Sequence, residues 1–357
     1  MSDKTVRIGA ALALFFFAFA LYLFTLHPSI SPYRDSGDLI TAAATFGLAH
    51  PPGYPLYVLS GKAFTTAMPW GNTAYRMNVL SALFGAAALS CLAWAFFLRA
   101  PGPLSARALL APLGALVFLA FSPALWRLSQ VSEMYSLNAL LAAALIAGSA
   151  LLGARSPSRQ VSGAIFYGLC FLCGLAAGNH PTIVFLIPGL MWYAWRVQEL
   201  RMVHFINAGV FFLAGLSVYL FLPLRSLTGP LSSWGDPRSL EGLWRMVTRA
   251  DYGGLRLHPE QSTFQWSAPL VAQHLRVYLT SLGQQFTWPG VALGMWGIAR
   301  MRQDRWYRFL LISLAVSGPG FVILSNLPPA EATTLPILEP HLVLANVLFA
   351  AFIAAAA

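Results

Sequence analysis

The sequence predicts an all-α, polytopic integral membrane protein, and three observations carry that reading. Hydrophobic residues fill 57% of the 357 positions and charged residues only 10%, with a mean hydropathy of +0.65. One soluble core cannot hide that much apolar surface, so the solvent must be lipid. Apolar runs near the roughly 20 residues that carry a helix across a bilayer recur along the whole chain, and basic residues gather in alternate connections between them.

About ten crossings are expected, in a single transmembrane domain spanning residues 1–357: Ile8–Leu26, Met77–Leu98, Ala108–Leu125, Met134–Leu152, Val161–Gly178, Pro181–Trp195, Phe205–Leu224, Val277–Ala299, Phe309–Ser325 and His341–Ala357. Gln284, Gln285 and Pro289 make the eighth the weakest. The first follows Lys4 and Arg7, as a signal peptide would, but its apolar run is too long and Leu-Tyr-Leu-Phe-Thr-Leu-His offers no small-residue cleavage site, so it reads as an uncleaved anchor.

Charge sets the orientation. With the N-terminus cytoplasmic, the inner segments hold twelve basic and three acidic residues, net +9, and the outer segments are left with +1 of the chain's +10. The basic balance is thus a topology signal, which fits a bacterial inner membrane and calls for no nucleic acid. Nine of the twelve carboxylates fall on the outer face: Asp35, Asp38, Glu133, Asp236, Glu241, Asp251, Glu260, Glu331 and Glu339. Acid–base chemistry is therefore expected there, on the periplasmic side. Cys91, Cys170 and Cys173 fall within predicted spans and read as small packing residues.

Two outer connections are long, residues 28–76 and 225–276, and long loops on one face are where function concentrates. In the first, residues 38–49 and 56–68 read as short amphipathic helices separated by Pro51-Pro52-Gly53, with Tyr54, Tyr57 and Trp70 at headgroup depth. In the second, residues 239–249 read as an amphipathic helix capped by Ser239, with Glu241 at its positive end.

The chemistry-bearing residues begin with Asp35-Ser36-Gly37-Asp38, just past the first span. Two carboxylates beside Arg34 at a membrane boundary are costly unless something uses them, and one partly removed from water becomes a better general base. The competing reading is a helix cap with Asp35 at its start and Asp38 in its first turn. His50, before Pro-Pro-Gly-Tyr54, either joins that site or pins a turn. Glu133 and Tyr135, in Gln-Val-Ser-Glu-Met-Tyr, open the fourth span from outside, where capping competes evenly with a site role. Asn179 and His180 bring an amide and an imidazole to the same depth. Arg225 emerges from the seventh span as either a snorkelling cation or a phosphate ligand. Arg238, Arg245 and Arg249 read as a solvated helix face. No dedicated metal-ligand set is visible; a divalent ion could bind the two carboxylates, but none is expected to be obligatory.

The motifs Asp-Ser-Gly-Asp, His-Pro-Pro-Gly-Tyr-Pro-Leu-Tyr, Ser-Glu-Met-Tyr-Ser-Leu-Asn, Gly-Asn-His-Pro-Thr, Leu-Pro-Leu-Arg and Trp-Gly-Asp-Pro resemble those of a family formerly known only as a domain of unknown function, whose animal member is a protein O-mannosyltransferase. It is placed in the GT-C superfamily of polytopic glycosyltransferases. The match runs from about Leu21 to Tyr252, and its first motif pair is the specific part. The resemblance implies transfer of a sugar from a polyprenyl-phosphate carrier to a protein or glycan acceptor on the outer side, with an acid of the first outer loop at the centre. That role falls to Asp35 first and Asp38 second, since the family usually has Glu at the latter position. The resemblance leaves Arg225 and His180 for the phosphate, and Glu133 or Asp38 for orienting hydroxyls. Partners are then the lipid-linked sugar, its acceptor, membrane lipids and, in a rival reading, a larger membrane complex for which the chain is a non-catalytic subunit. A transporter is the other rival; it should place its ionisable groups near the bilayer midplane.

Overall fold

The computed structural model describes residues 2–100, 105–154, 162–254, 267–325 and 327–356. Arg155, Arg159, Val161, Glu260 and Ala357, together with residues 255–266 of the second long loop, lie outside the described residues. Those described are helical, without a strand; one isolated β-bridge joins Leu48 to Ser233.

In chain order the helices are α1 (Asp3–Phe24), α2 (Ser36–Thr45), α3 (Pro55–Ala67), α4 (Thr73–Arg99), α5 (Ala106–Ala120), α6 (Pro123–Leu128), α7 (Met134–Ala154), α8 (Ser162–Ala177), α9 (Ile187–Val197), α10 (Met202–Leu216), α11 (Phe221–Ser226), α12 (Leu240–Val247), α13 (Ala268–Met301), α14 (Arg305–Ala315), α15 (Phe321–Ser325), α16 (Thr334–Leu338) and α17 (Val343–Ala356). The bundle centre is α4 laid along α7, with α1 against α4, α8 against α10, and α13 against α17. Small residues on α4 and α7, among them Ala82, Ala86, Ala93, Ala142, Ala143 and Ala150, are buried at that contact and let the helices approach closely.

Among the described residues, five helical stretches are long and apolar enough to cross a bilayer: Asp3–Phe24, Thr73–Arg99, Met134–Ala154, Met202–Ser226 and Arg305–Ser325. The other five predicted spans are shorter or interrupted, for identifiable reasons. The third ends at Ala120 and restarts at Pro123, whose missing N–H makes it a helix opener. The sixth divides into a 3₁₀ turn, Pro181–Leu186, and an eleven-residue helix, since Pro188 cannot donate to Val184. The fifth and tenth are apolar but shorter than 18 residues. The eighth is long yet kinked at Thr287, two residues before Pro289; there the Gln285 side chain accepts from the Ala124 N–H at 2.9 Å and lies 3.3 Å from Glu339. Polar residues that weaken the hydropathy signal thus hold α13 to the start of α6.

The outer-loop helices begin and end differently from expectation. α2 stops at Thr45 because Phe46 turns left-handed, with φ of 53°, which frees residues 46–49 to run beside residues 232–234. Leu48 N–H donates to Ser232 O at 2.9 Å and Trp234 N–H to Leu48 O at 3.3 Å. Gly47 allows this approach, since a Cβ there would sit 2.3 Å from Ser232 O. Leu48, Leu222 and Met246 form a small core of their own beneath the junction. α12 is capped as the sequence indicates, Ser239 Oγ accepting from Gly242 N–H at 3.0 Å. The two long loops are therefore one structural unit, and that unit positions the site.

Candidate active site at the bundle end

The helix axes put opposite charges at opposite ends of the bundle. Glu133 and Tyr135 stand at the start of α7, while Gly153 near its other end meets Arg99 and Tyr193, about 30 Å away at 1.5 Å per residue. The carboxylates of the first loop gather at the Glu133 end.

Asp38 is the most engaged of them. Its Oδ2 accepts from the His50 backbone N–H at 3.1 Å and from His50 Nδ1–H at 2.7 Å, and its Oδ1 accepts from the Trp234 indole N–H at 2.8 Å. An ionised carboxylate only accepts, so this geometry puts the His50 proton on Nδ1. The opposite ring nitrogen, Nε2, lies 3.5 Å from Asp35 Oδ2. The Asp35 side chain is 40% exposed and that of Asp38 19%, so both carboxylates still meet solvent. Asp35 occupies the cap position of α2, but its side chain makes no capping bond. What holds it is its backbone N–H, which donates to Glu133 Oε1 at 3.0 Å.

Glu133 itself is fully buried, and its Oε2 has no partner. Burial, reinforced by the Asp35 charge, pushes its carboxyl well above the ordinary range and favours the protonated form. A neutral carboxyl with one oxygen accepting and the other free is a hydroxyl donor.

Aromatic rings wall this group. The Tyr54 ring meets His50 edge-on at 5.1 Å and lies parallel to His180 at 6.1 Å, while Tyr135 packs on His180 at 4.8 Å. Tyr54 is buried and its hydroxyl stays neutral. Thr182 N–H donates to His180 Nδ1 at 3.3 Å, leaving the ring proton on Nε2. Burial, then the neighbouring His341 and Arg249, push the His180 pKa well below the ordinary value, so His180 is an uncharged donor. Asn179 Nδ2 donates to Met134 O at 3.0 Å and ties this turn to α7.

Residues 35–201 match the family model for the protein O-mannosyl-transferase TMEM260 N-terminal domain. Among curated proteins the chain is similar to protein O-mannosyl-transferase TMEM260 of Mus musculus, 33% identical over 85% of this chain and 42% of that protein. It is also similar to protein O-mannosyl-transferase tmem260 of Dictyostelium discoideum, 27% identical over 91% of this chain and 41% of that protein. The chain thus spans about two fifths of the length of these curated relatives. No solved structure matches it. The matched region begins at Asp35 and contains Asp38, His50, Tyr54, Glu133, Tyr135, Asn179 and His180.

Two arginines of the first reading sit at the margin. Arg34, with φ of 50°, points its guanidinium at Pro336 O and over the Tyr33 ring, near enough to act on Glu133 through its charge. Arg225 is not brought into the cluster. Its guanidinium donates to Phe46 O and Thr228 Oγ1 and lies over the Phe46 ring, joining α11 to the end of α2.

Arg249, expected on a solvated helix face, instead lies beside the cluster. It follows α12 in a left-handed conformation, φ 55°, which turns it off the helix face. Its Nε is buried without a partner, and its charge acts on Tyr54, Tyr135 and His180. Arg238 and Arg245, by contrast, pair with Asp236 at 2.6 Å and Asp251 at 2.5 Å on the exposed surface. The only local signal separating Arg249 from them is the Tyr252-Gly253-Gly254 turn just beyond it, whose glycines both have positive φ. His341, 5.6 Å from the His180 ring and 3.3 Å from Tyr135 Oη, was read only as the start of the last span. No group of three or more His, Cys, Asp or Glu side chains among the described residues could hold a metal ion.

Proposed function

We propose that this chain is a membrane glycosyltransferase of the GT-C type, with about ten crossings and its acidic end facing the periplasm. It would move a sugar, mannose by the names of its relatives, from a polyprenyl-phosphate carrier to an acceptor hydroxyl. The observation that carries the reading is the meeting of Asp35, the Asp38–His50 pair, buried Glu133 and Arg249, whose Nε has no partner among the described residues, at one end of the bundle.

Asp35, the carboxylate with fewer donors and more exposure, takes the acceptor's hydroxyl proton. The acceptor oxygen then bonds to the sugar's anomeric carbon as the bond from that carbon to the phosphate oxygen breaks, and the electron pair leaves on polyprenyl phosphate. Asp38 fixes the His50 tautomer so that Nε2 faces Asp35 and can share its proton. Arg249 meets the charge growing on the phosphate, and the neutral His180 Nε2–H and Glu133 hydroxyl supply donors to the sugar or phosphate.

A lipid-linked donor also needs a path for its chain. An apolar groove of about 560 Å³ lies between α10, the turn after it and α12, lined by Leu213, Leu220, Leu240, Trp244 and Val247. It ends two residues before Arg249, so an isoprenoid lying there would bring its phosphate to that guanidinium.

The test is transfer of labelled mannose from a polyprenyl-phosphate donor by the protein in lipid nanodiscs. The proposal expects transfer by wild type and its loss in Asp35→Asn, with the thermal transition retained. Transfer by Asp35→Asn at the wild-type rate sinks the assignment.

A further inference from the structure

The opposite end of the bundle carries a second polar cavity, of about 540 Å³, between the ends of α4, α7, α9 and the start of α14. Arg99, Arg196 and Arg305 line it against two acids, Asp304 and Glu199. Asp304 is committed: Oδ1 caps α14 by accepting from Trp306 and Tyr307 N–H at 2.8 and 3.1 Å, and Oδ2 pairs with Arg99 at 2.9 Å. Two further donors on the lining, Arg99 Nε and Gln198 Nε2, are buried with no partner. Buried donors left unsatisfied are costly unless a ligand meets them. A cavity lined by net positive charge and unmet N–H donors calls for an anion with several acceptor oxygens.

Its place in the bundle narrows the anion. Trp195, 68% exposed, stands at the rim where an amphipathic ring marks the bilayer interface, and basic pockets between helices at that depth hold phospholipid head groups. We propose that this cavity binds the phosphate of an anionic membrane phospholipid, at the membrane face opposite the transferase site. The site is independent of the catalytic proposal, because none of its residues belongs to the acidic cluster.

The experiment is native mass spectrometry of the protein from nanodiscs of equimolar phosphatidylglycerol and phosphatidylcholine. Wild type is expected to retain phosphatidylglycerol preferentially. Arg196→Gln with Arg305→Gln, both exposed and outside the Arg99–Asp304 pair, should reduce that preference on the order of tenfold, and the corresponding Lys pair should keep much of it. Arg107→Gln with Arg302→Gln, exposed at the same end but off the cavity, should leave it unchanged. Displacement by millimolar inorganic phosphate would keep the site and assign it to the free anion. No preference in wild type, or equal loss in the two Gln pairs, overturns the proposal, the latter by showing only a diffuse surface charge.

Discussion

The two long loops carry similar acids and treat them oppositely. In the second loop, Asp236 pairs with Arg238 two residues away and Asp251 with Arg245 six residues away, all more than half exposed. Hydrogen bonds from Arg238 hold the Asp236 pKa down to about 2, which is simply an ion pair in water. In the first loop the local partner His50 is joined by partners from afar. Asp38 meets Trp234, 196 residues on, and the Asp35 backbone N–H meets Glu133, 98 residues on. Local pairing neutralises an acid, whereas the first loop engages both Asp38 oxygens and holds Asp35 by its backbone, leaving the Asp35 carboxylate without a capping bond. Only the second arrangement supports chemistry.

Ways to break that contrast can be ranked by expected effect. The largest is Asp35→Asn, which should reduce transfer by roughly 10²–10⁴-fold, while Asp236→Asn in the same assay leaves the rate intact; equal losses would dissolve the distinction. Next, Arg249→Gln should raise the donor KM by on the order of tenfold or more, since a charge-assisted hydrogen bond to phosphate is lost. Arg245→Gln, four residues earlier on α12, should leave KM where it is, and a KM shift shared by both would return Arg249 to the solvated face.

Glu133 sharpens the comparison through stability. Glu133→Ala leaves the Asp35 N–H without its acceptor and should cost about 1–3 kcal/mol, measured by thermal unfolding in nanodiscs. Its pH signature has a definite sign. The folded state keeps a proton that the unfolded chain releases above the ordinary carboxyl value of 4.5, so stability falls as pH rises from there toward the raised folded pKa. Glu133→Gln, neutral throughout, should flatten that limb; a wild-type curve that climbs over the same window contradicts a protonated Glu133. The smallest effect expected is Trp234→Phe, which removes one of three donors to Asp38 and should slow transfer about fivefold, near 1 kcal/mol.

The first loop also marks how far a sequence can be read. Apolar composition, the acids at 35 and 38, and the motif at 50–57 point to the right end of the molecule because hydrophobicity and local spacing are linear properties. The cap proposed for Asp35 fails on a rotamer: α2 begins beside it, but its carboxylate turns toward His50. The spans that contain Pro123 and Pro188 look continuous by hydropathy, which weighs side chains and ignores the missing N–H, whereas Gln284, Gln285 and Pro289 mark the interruption of the eighth in the sequence itself. Arg225 and Arg249 each stand at a helix end, and the one that faces the cluster is set by a left-handed φ at residue 249 and by Phe46 O capturing residue 225.

By itself, then, the sequence determined the helical class, the lipid solvent, the family resemblance and the segment holding the acids, since these follow from composition and from residues near one another in the chain. The tertiary structure alone decided which acid is held and which left open, that burial pushes the Glu133 carboxyl above the ordinary range, and that Arg249 is the cation beside them. Those properties depend on burial and on contacts across 98 to 196 residues of chain, and neither exists until the helices have packed.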